Sequence, residues 1–149
     1  MMSLKEYKKK RNFKETSEPE AKEKNGDEKR FVIQEHWASH HHFDFRLEME
    51  GVLKSWAVPE GIPEDKKVKR LAIQTEDHPV DYINFEGEIP EGQYGAGKVE
   101  IFDKGHYELE EIDRGKIIFR IRGEKIQGKY ALIRTKKENQ WILFKVEEN

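Results

Sequence analysis

The sequence predicts a mostly β fold, a compact antiparallel β-barrel of about eight to nine strands with a polar central pocket and few short helices. Three observations lead there. Short runs rich in Val, Ile, Phe, Tyr and Trp recur from residue 31 onward, and these residues suit a pleated, half-buried surface. Turn-forming residues separate the runs closely enough for hairpins, hence antiparallel pairing. No stretch carries helical periodicity for more than a few turns, and that many strands in about 115 residues favour a closed barrel or a sandwich.

The strands are expected near 31–36, 43–49, 52–58, 69–75, 98–103, 106–112, 116–122, 128–135 and 141–146. The turns between them are Glu50-Gly51, Asp103-Lys104-Gly105, Asp113-Arg114-Gly115, Gly123 and Lys137-Glu138-Asn139. Residues 76–97 read as a long ordered loop, a common place for function. Residues 1–30 are polar and lysine-rich, with a turn-prone Asn25-Gly26-Asp27. They are expected to form a partly flexible arm that contributes to the active site, ahead of a barrel domain over 31–149.

Composition narrows the class. With 149 residues the chain suits one domain with one core. A charged fraction of 39 % is high, but the recurring aromatics and β-branched residues argue against disorder. The net charge of −2 excludes a general basic coat for nucleic acid, though not a local basic pocket. The chain has no cysteine, so disulfides and thiolate zinc sites are excluded. No apolar run is long enough to span a membrane and the N-terminus lacks a signal-peptide core, so a cytoplasmic, monomeric protein is expected.

Parity is most informative across residues 42–49. Phe43, Phe45, Leu47 and Met49 alternate with His42, Asp44, Arg46 and Glu48, and a strand sends alternate side chains to opposite faces. One face is therefore apolar. The other gathers metal- and phosphate-binding groups, and Gln34 and His36 share its phase on the preceding segment. Two imidazoles and a carboxylate form a divalent-metal ligand set. Three protein ligands leave coordination positions open, and Arg46 is a fork for phosphate. The plain alternative is a solvated sheet face. His40 and His41 are weaker members, and His41 is expected on the apolar side.

Other candidates stand apart in the chain. Pro79 forces His78 out of helical geometry, as at a strand exit, where a histidine can act as general acid or donate to a phosphoryl group. Tyr82 follows. The Gly92–Gly97 loop lacks the lysine and helix of a nucleotide-binding loop and reads as a tight turn. Lys54, Lys69 and Arg70 are candidate groove residues, and Trp37, Trp56 and Trp141 candidate packing residues.

The strings QEHWASHHHFDFRLEMEGVLKSWAVPEG and KRLAIQTEDHPVDYINFEGEIPEGQYGAG resemble the 3′-phosphoesterase domain of bacterial DNA ligase D and its stand-alone archaeal relatives. The resemblance runs from KKKRNFKETSEPE to WILFKVEEN, and the chain looks like a free-standing version. It implies a barrel that trims 3′ ends at primer-template junctions. A terminal ribonucleoside is removed first, leaving a 3′-phosphate, and then the phosphate is removed, leaving a 3′-OH. Manganese is the implied metal, on His36, His42 and Asp44. Arg46 is the implied phosphate ligand, His78 the catalytic histidine, and Tyr82 its companion. Gln34, Arg11, Glu18 and Arg70 are the further implied substrate-site residues. A separate DNA ligase and polymerase are the implied partners. Two departures bear on the balance of the two steps, Asn12 for the family's frequent aspartate and Glu60 for its frequent lysine.

Two rivals follow from the residues alone. His42-x-Asp44 is also part of an Fe(II) oxygenase triad, a reading that leaves His36 idle and Arg46 without a role. A non-catalytic barrel binding single-stranded nucleic acid would need an exposed basic, aromatic face.

Overall fold

In the computed structural model, residues 3–21 and 28–148 are described. The Asn25-Gly26-Asp27 turn expected in the arm lies outside them. Ten strands and one short helix follow in chain order: α1 (Leu4–Lys9), β1 (Arg30–Trp37), β2 (His41–Met49), β3 (Val52–Val58), β4 (Lys69–Gln74), β5 (His78–Pro79), β6 (Gly87–Ile89), β7 (Gly97–Asp113), β8 (Lys116–Gly123), β9 (Gln127–Arg134) and β10 (Gln140–Lys145). A 3₁₀ turn spans Val80–Asn84. No helix among the described residues is long and apolar enough to cross a membrane.

Eight strands pair in the order β1-β2-β3-β4-β10-β9-β8-β7, and β7 returns to β1, closing an antiparallel barrel. β6 adds to β7 and β5 adds to β3 outside that ring. Closure removes the unpaired edges that an open sheet would expose. The lumen is apolar. Phe31, Phe45, Trp56, Phe119, Tyr130 and Trp141 belong to the cluster that fills it, with Phe45 and Phe119 stacked at 5.6 Å and Trp56 edge-on to Trp141 at 5.7 Å.

A second apolar cluster lies on the outer side of the wall. There Val32 and Leu53 meet Tyr7 from the arm, Tyr82 and Phe85 from the 3₁₀ segment, and Ile89 from β6. The barrel wall is thus covered on both faces here, so polar side chains on its outer face are enclosed rather than solvated. The expected polar central pocket is displaced: apolar side chains fill the lumen, and the polar pocket lies outside it, between the barrel wall and its cover.

One expected turn is absent. Residues 98–103 and 106–112 are expected as separate strands, but β7 runs unbroken through Asp103-Lys104-Gly105. Two of these turn-like residues have another task. Asp103 accepts hydrogen bonds from the backbone N–H groups of Glu124, Lys125 and Ile126 at 2.8–3.0 Å, tying down the β8–β9 turn. Gly105 lies where a Cβ would stand 2.3 Å from the Arg122 carbonyl oxygen. Gly105→Ala is therefore expected to destabilise the barrel by about 1–3 kcal/mol, the usual cost of overpacking. Thermal denaturation checks this, and an unchanged melting temperature would show that the β7–β8 pair can spread.

Candidate metal and phosphate site

β1 and β2 form a tight hairpin whose register sets Val32 opposite Arg46, Gln34 opposite Asp44, and His36 opposite His42. Directly opposed residues of an antiparallel pair share a face. The predicted phase is therefore realised across two strands, and the polar groups are buried: Gln34, His36, Asp44 and Arg46 are all under 8 % exposed. This removes the reading as a solvated sheet face.

One potential ligand atom each from His36, His42 and Asp44 lies within 4.8 Å of the others. His42 Nε2 is 3.2 Å from Asp44 Oδ1, and His36 Nδ1 is 3.5 Å from Oδ2. The opposite nitrogen of each ring is engaged by a carbonyl. His36 Nε2 donates to Gly95 O at 2.7 Å, and His42 Nδ1 donates to His40 O at 2.9 Å. A carbonyl only accepts, so in the neutral rings the nitrogens facing Asp44 carry lone pairs. This is the outer-shell arrangement that orients metal-binding histidines, and two lone pairs converging on a carboxylate suit a divalent cation. The residues present fit a metal.

Charge around Asp44 is balanced by neighbours. Burial would raise its pKa, but the Arg46 guanidinium, with His36 and His42 beside its oxygens, holds it well below the carboxylate range. Burial likewise opposes protonation of His42, yet its bonds to Asp44 and to the His40 carbonyl outweigh that and leave its pKa above 6.5.

Arg46 stands beside the triad. Its Nε donates to Gln34 Oε1 at 2.7 Å, and Gln34 in turn donates to the carbonyls of Tyr82 and Phe85 at 2.9 and 3.1 Å. The guanidinium lies over the Tyr82 ring, 4.8 Å from its centroid. Among the described residues, buried Arg46 Nη1 has no hydrogen-bond partner. An unsatisfied buried donor is costly, and a phosphate oxygen would satisfy it.

His78 is buried on β5, which pairs with β3, the neighbour of β2. Its Nδ1 donates to Glu76 O at 2.8 Å, leaving Nε2 as the acceptor 3.4 Å from Arg11 Nη2. Burial first, then the charges of Arg46 and Arg11, push its pKa well below 6.5. In the free protein His78 is therefore neutral.

The arm completes the enclosure. Tyr7 is fully buried, and Arg11 lies over its ring at 3.9 Å. Arg11 donates to Glu18 Oε2 at 2.9 Å and to Glu76 Oε1 at 3.1 Å. The Tyr82 hydroxyl donates to Glu18 Oε2 at 2.6 Å. A cavity of about 290 Å³ brings Arg11, Glu18, Asp44, Arg46, His78 and Tyr82 together. Gln34 supports it from behind.

Other expected residues lie elsewhere. Arg70 donates to the Glu60 carbonyl and neither residue lines the cavity. Asn12 is exposed and accepts from the Lys14 N–H at 3.1 Å. Lys54 pairs with Asp77 at 3.1 Å, and Lys69 lies 5.5 Å from the Phe144 ring centroid. His41 has the expected parity, but it sits at the exposed strand end and binds Glu35 at 2.7 Å. Sequence reasoning missed Tyr7, Ser55, whose hydroxyl lies 3.3 Å from His78 Nδ1, and the support roles of Glu76 and Gly95. Tyr7 had a faint signal as one of two aromatics, with Phe13, in a polar segment.

Comparison with known proteins bears on this constellation. Residues 34–134 match the family described as DNA ligase D 3′-phosphoesterase domain. The chain is 46 % identical to the multifunctional non-homologous end joining protein LigD of Pseudomonas aeruginosa, over 97 % of this chain and 19 % of that protein. It is 47 % identical to the multifunctional non-homologous end joining DNA repair protein LigD of Mycobacterium tuberculosis, over 97 % of this chain and 20 % of that protein. The chain thus spans about a fifth of the length of these relatives.

The raised pKa of His42 fixes the sign of a pH effect. A proton on its imidazole competes with metal for the same lone pair, so affinity falls as pH drops through the raised value and recovers above it. Calorimetric titration with a divalent cation is expected to give tighter binding at about pH 8 than at about pH 6, with proton release on binding at the lower pH. An affinity that ignores pH would remove His42 from the ligand set.

Proposed function

The chain belongs to the DNA ligase D 3′-phosphoesterase domain family, and from that premise we propose that it is a metal-dependent hydrolase of DNA 3′ ends in end-joining repair. The observation that carries this reading is the meeting of a His36–His42–Asp44 ligand set with an unsatisfied Arg46 donor in one enclosed cavity. Its substrates are primer-template ends carrying a 3′-ribonucleoside or a 3′-phosphate, its metal is manganese, and it leaves a 3′-OH for polymerase and ligase action in the cytoplasm.

A divalent cation on the triad supplies Lewis-acid polarisation of the phosphate and a lowered water pKa. The protein's own groups do the rest. Arg46 hydrogen-bonds two phosphate oxygens through the nitrogens not held by Gln34. Arg11, oriented by Glu18 and Glu76, brings a second positive charge to the same oxygens. Burial, together with their combined charge, keeps His78 neutral until an anionic phosphate enters. The phosphate then offsets those cations and favours the imidazolium, which protonates the departing oxygen. Tyr82 positions the arm through Glu18 and lies beneath the Arg46 guanidinium.

The direct test is to incubate EDTA-stripped protein with a primer-template ending in one 3′-ribonucleotide, with and without Mn²⁺, and resolve the products on a sequencing gel. Stepwise conversion to a 3′-phosphate and then a 3′-OH, dependent on metal, is the expected result. No change with any divalent cation would remove the phosphoesterase reading. His42→Ala should abolish both steps with an unchanged melting curve, whereas unfolding would make the cluster structural. Arg46→Lys should cost about 10²–10³-fold in kcat, as for other oxyanion donors.

His78 has its own signature. The kcat/KM profile reports the free enzyme and kcat the complex. Because His78 is neutral when free, its limb should appear in kcat and be missing from kcat/KM around the ordinary imidazole value. His78→Ala should erase that limb and lower kcat by about 10²–10⁴-fold. An unchanged profile would exclude the acid role.

A further inference from the structure

Beside the metal-ligand cavity runs a larger cleft of about 850 Å³. It lies between the β1–β2 turn, at Trp37 and Ser39, and the segment that runs from Glu88 on β6 to Glu91 and Gln93 in the following loop. The two spaces share Ala38, Ile89 and Gly95 as a common wall. Their chemistry differs. The smaller cavity sets Arg11 and Arg46 beside the carboxylates of Glu18, Asp44 and Glu76, while no Lys, Arg or His is among the described residues lining the larger one, whose charged groups are Glu88 and Glu91. Only the smaller cavity offers cationic donors to a phosphate, and the carboxylates of the larger one repel it.

The larger cleft carries a flat apolar surface at its edge. Trp37 is 40 % exposed, although its backbone is held on both sides, opposite His41 and opposite Lys98. The approach is close: a Cβ on Gly97 would stand 2.1 Å from the Trp37 carbonyl oxygen. Strand pairing fixes the backbone there, and the indole, with Lys98 Nζ 5.6 Å and the His41 ring 5.7 Å from its centroid, keeps part of its surface exposed.

We propose that this cleft receives the 3′-terminal nucleoside beyond the scissile phosphate, with its base against Trp37 and its hydroxyls donating to Glu88 and Glu91. A nucleoside without a 3′-phosphate is an uncharged, planar group rich in O–H donors, which matches a cleft offering an indole and carboxylates. The inference rests on the phosphoesterase reading and adds the leaving group to it. In the diester step water adds to phosphorus and the bond from phosphorus to the nucleoside 5′ oxygen breaks. The nucleoside leaves with a proton on that oxygen, and the DNA keeps a 3′-phosphate. In the monoester step nothing lies beyond the phosphoryl oxygens, so the cleft is empty. The cleft therefore serves one step only.

The test compares two ends of the same primer-template, one with a 3′-ribonucleoside and one with a 3′-phosphate, in the full-length protein with Mn²⁺. Trp37→Ala should lower kcat/KM for nucleoside removal about tenfold, the scale of lost base stacking, and so lower the ratio of diesterase to monoesterase. Trp37→Phe should retain most of the ratio. Gln93→Ala, in a loop outside the barrel pairing, should also depress it and serves if Trp37→Ala fails to fold. An unchanged ratio, or an equal fall in both steps by a folded variant, would overturn the cleft assignment and leave the enzyme reading standing. Wild-type protein inert on both ends would overturn both.

Discussion

Burying an ionised carboxylate costs several kcal/mol unless its partners are in place, and Asp44 is such a group, 7 % exposed. The arrangement of the site follows from keeping it charged. Arg46 stands behind it, His36 and His42 face its two oxygens, and Gln34 holds Arg46 at its distance. Carbonyls at His40 and Gly95 then hold the histidines from outside. A polar network of this kind is stable only when each member is satisfied. Here one donor, Arg46 Nη1, is left over among the described residues. The network is complete as a scaffold and incomplete as a binding site, which is the condition a substrate oxygen meets.

The same strand solves two problems through its pleat. The odd side chains of β2 fill the lumen and the even ones build the site. A barrel wall with a polar outer face would ordinarily be wet. The arm, the 3₁₀ segment and β6 cover it instead, through the small apolar cluster around Tyr7, Val32 and Tyr82. The cover also brings chemistry, because Arg11 and Glu18 come from the arm and His78 and Tyr82 from the segment after β4. One cavity is thus assembled from two layers joined by ion pairs and aromatic contacts.

Much of this was legible in the residues. The strict alternation over 42–49 marked both the strand and the ligand face, and His36 joined it because the hairpin register sets it opposite His42. Most strands were legible from their apolar runs and the turns between them. The misread turn at 103–105 has a physical cause: Asp and Gly also appear where a carboxylate must bind backbone and where strands approach too closely for a Cβ. The short strands β5 and β6 are set by pairing with distant segments, which no local pattern records. Arg70 lay in a matching motif, yet its position on β4 turns it toward the Glu60 carbonyl and away from the cavity. The docking of the arm was hidden for a similar reason, since it depends on a single buried Tyr7 and on Arg11 finding partners far along the chain.

The three ligand residues occupy one hairpin, from His36 to Asp44, and this shapes the order in which the molecule is built. Closing the barrel requires β1 to find β7 across a long loop, an entropically slow event. Bringing His36 to His42 requires only the turn between them. A cation is therefore able to meet its ligands on a nascent hairpin, before the wall is closed. Affinity for the unfolded chain subtracts from the stabilisation a ligand gives the native state. A cation held there would act as an early staple for the β1–β2 register, and would raise the melting temperature by less than its native affinity alone implies.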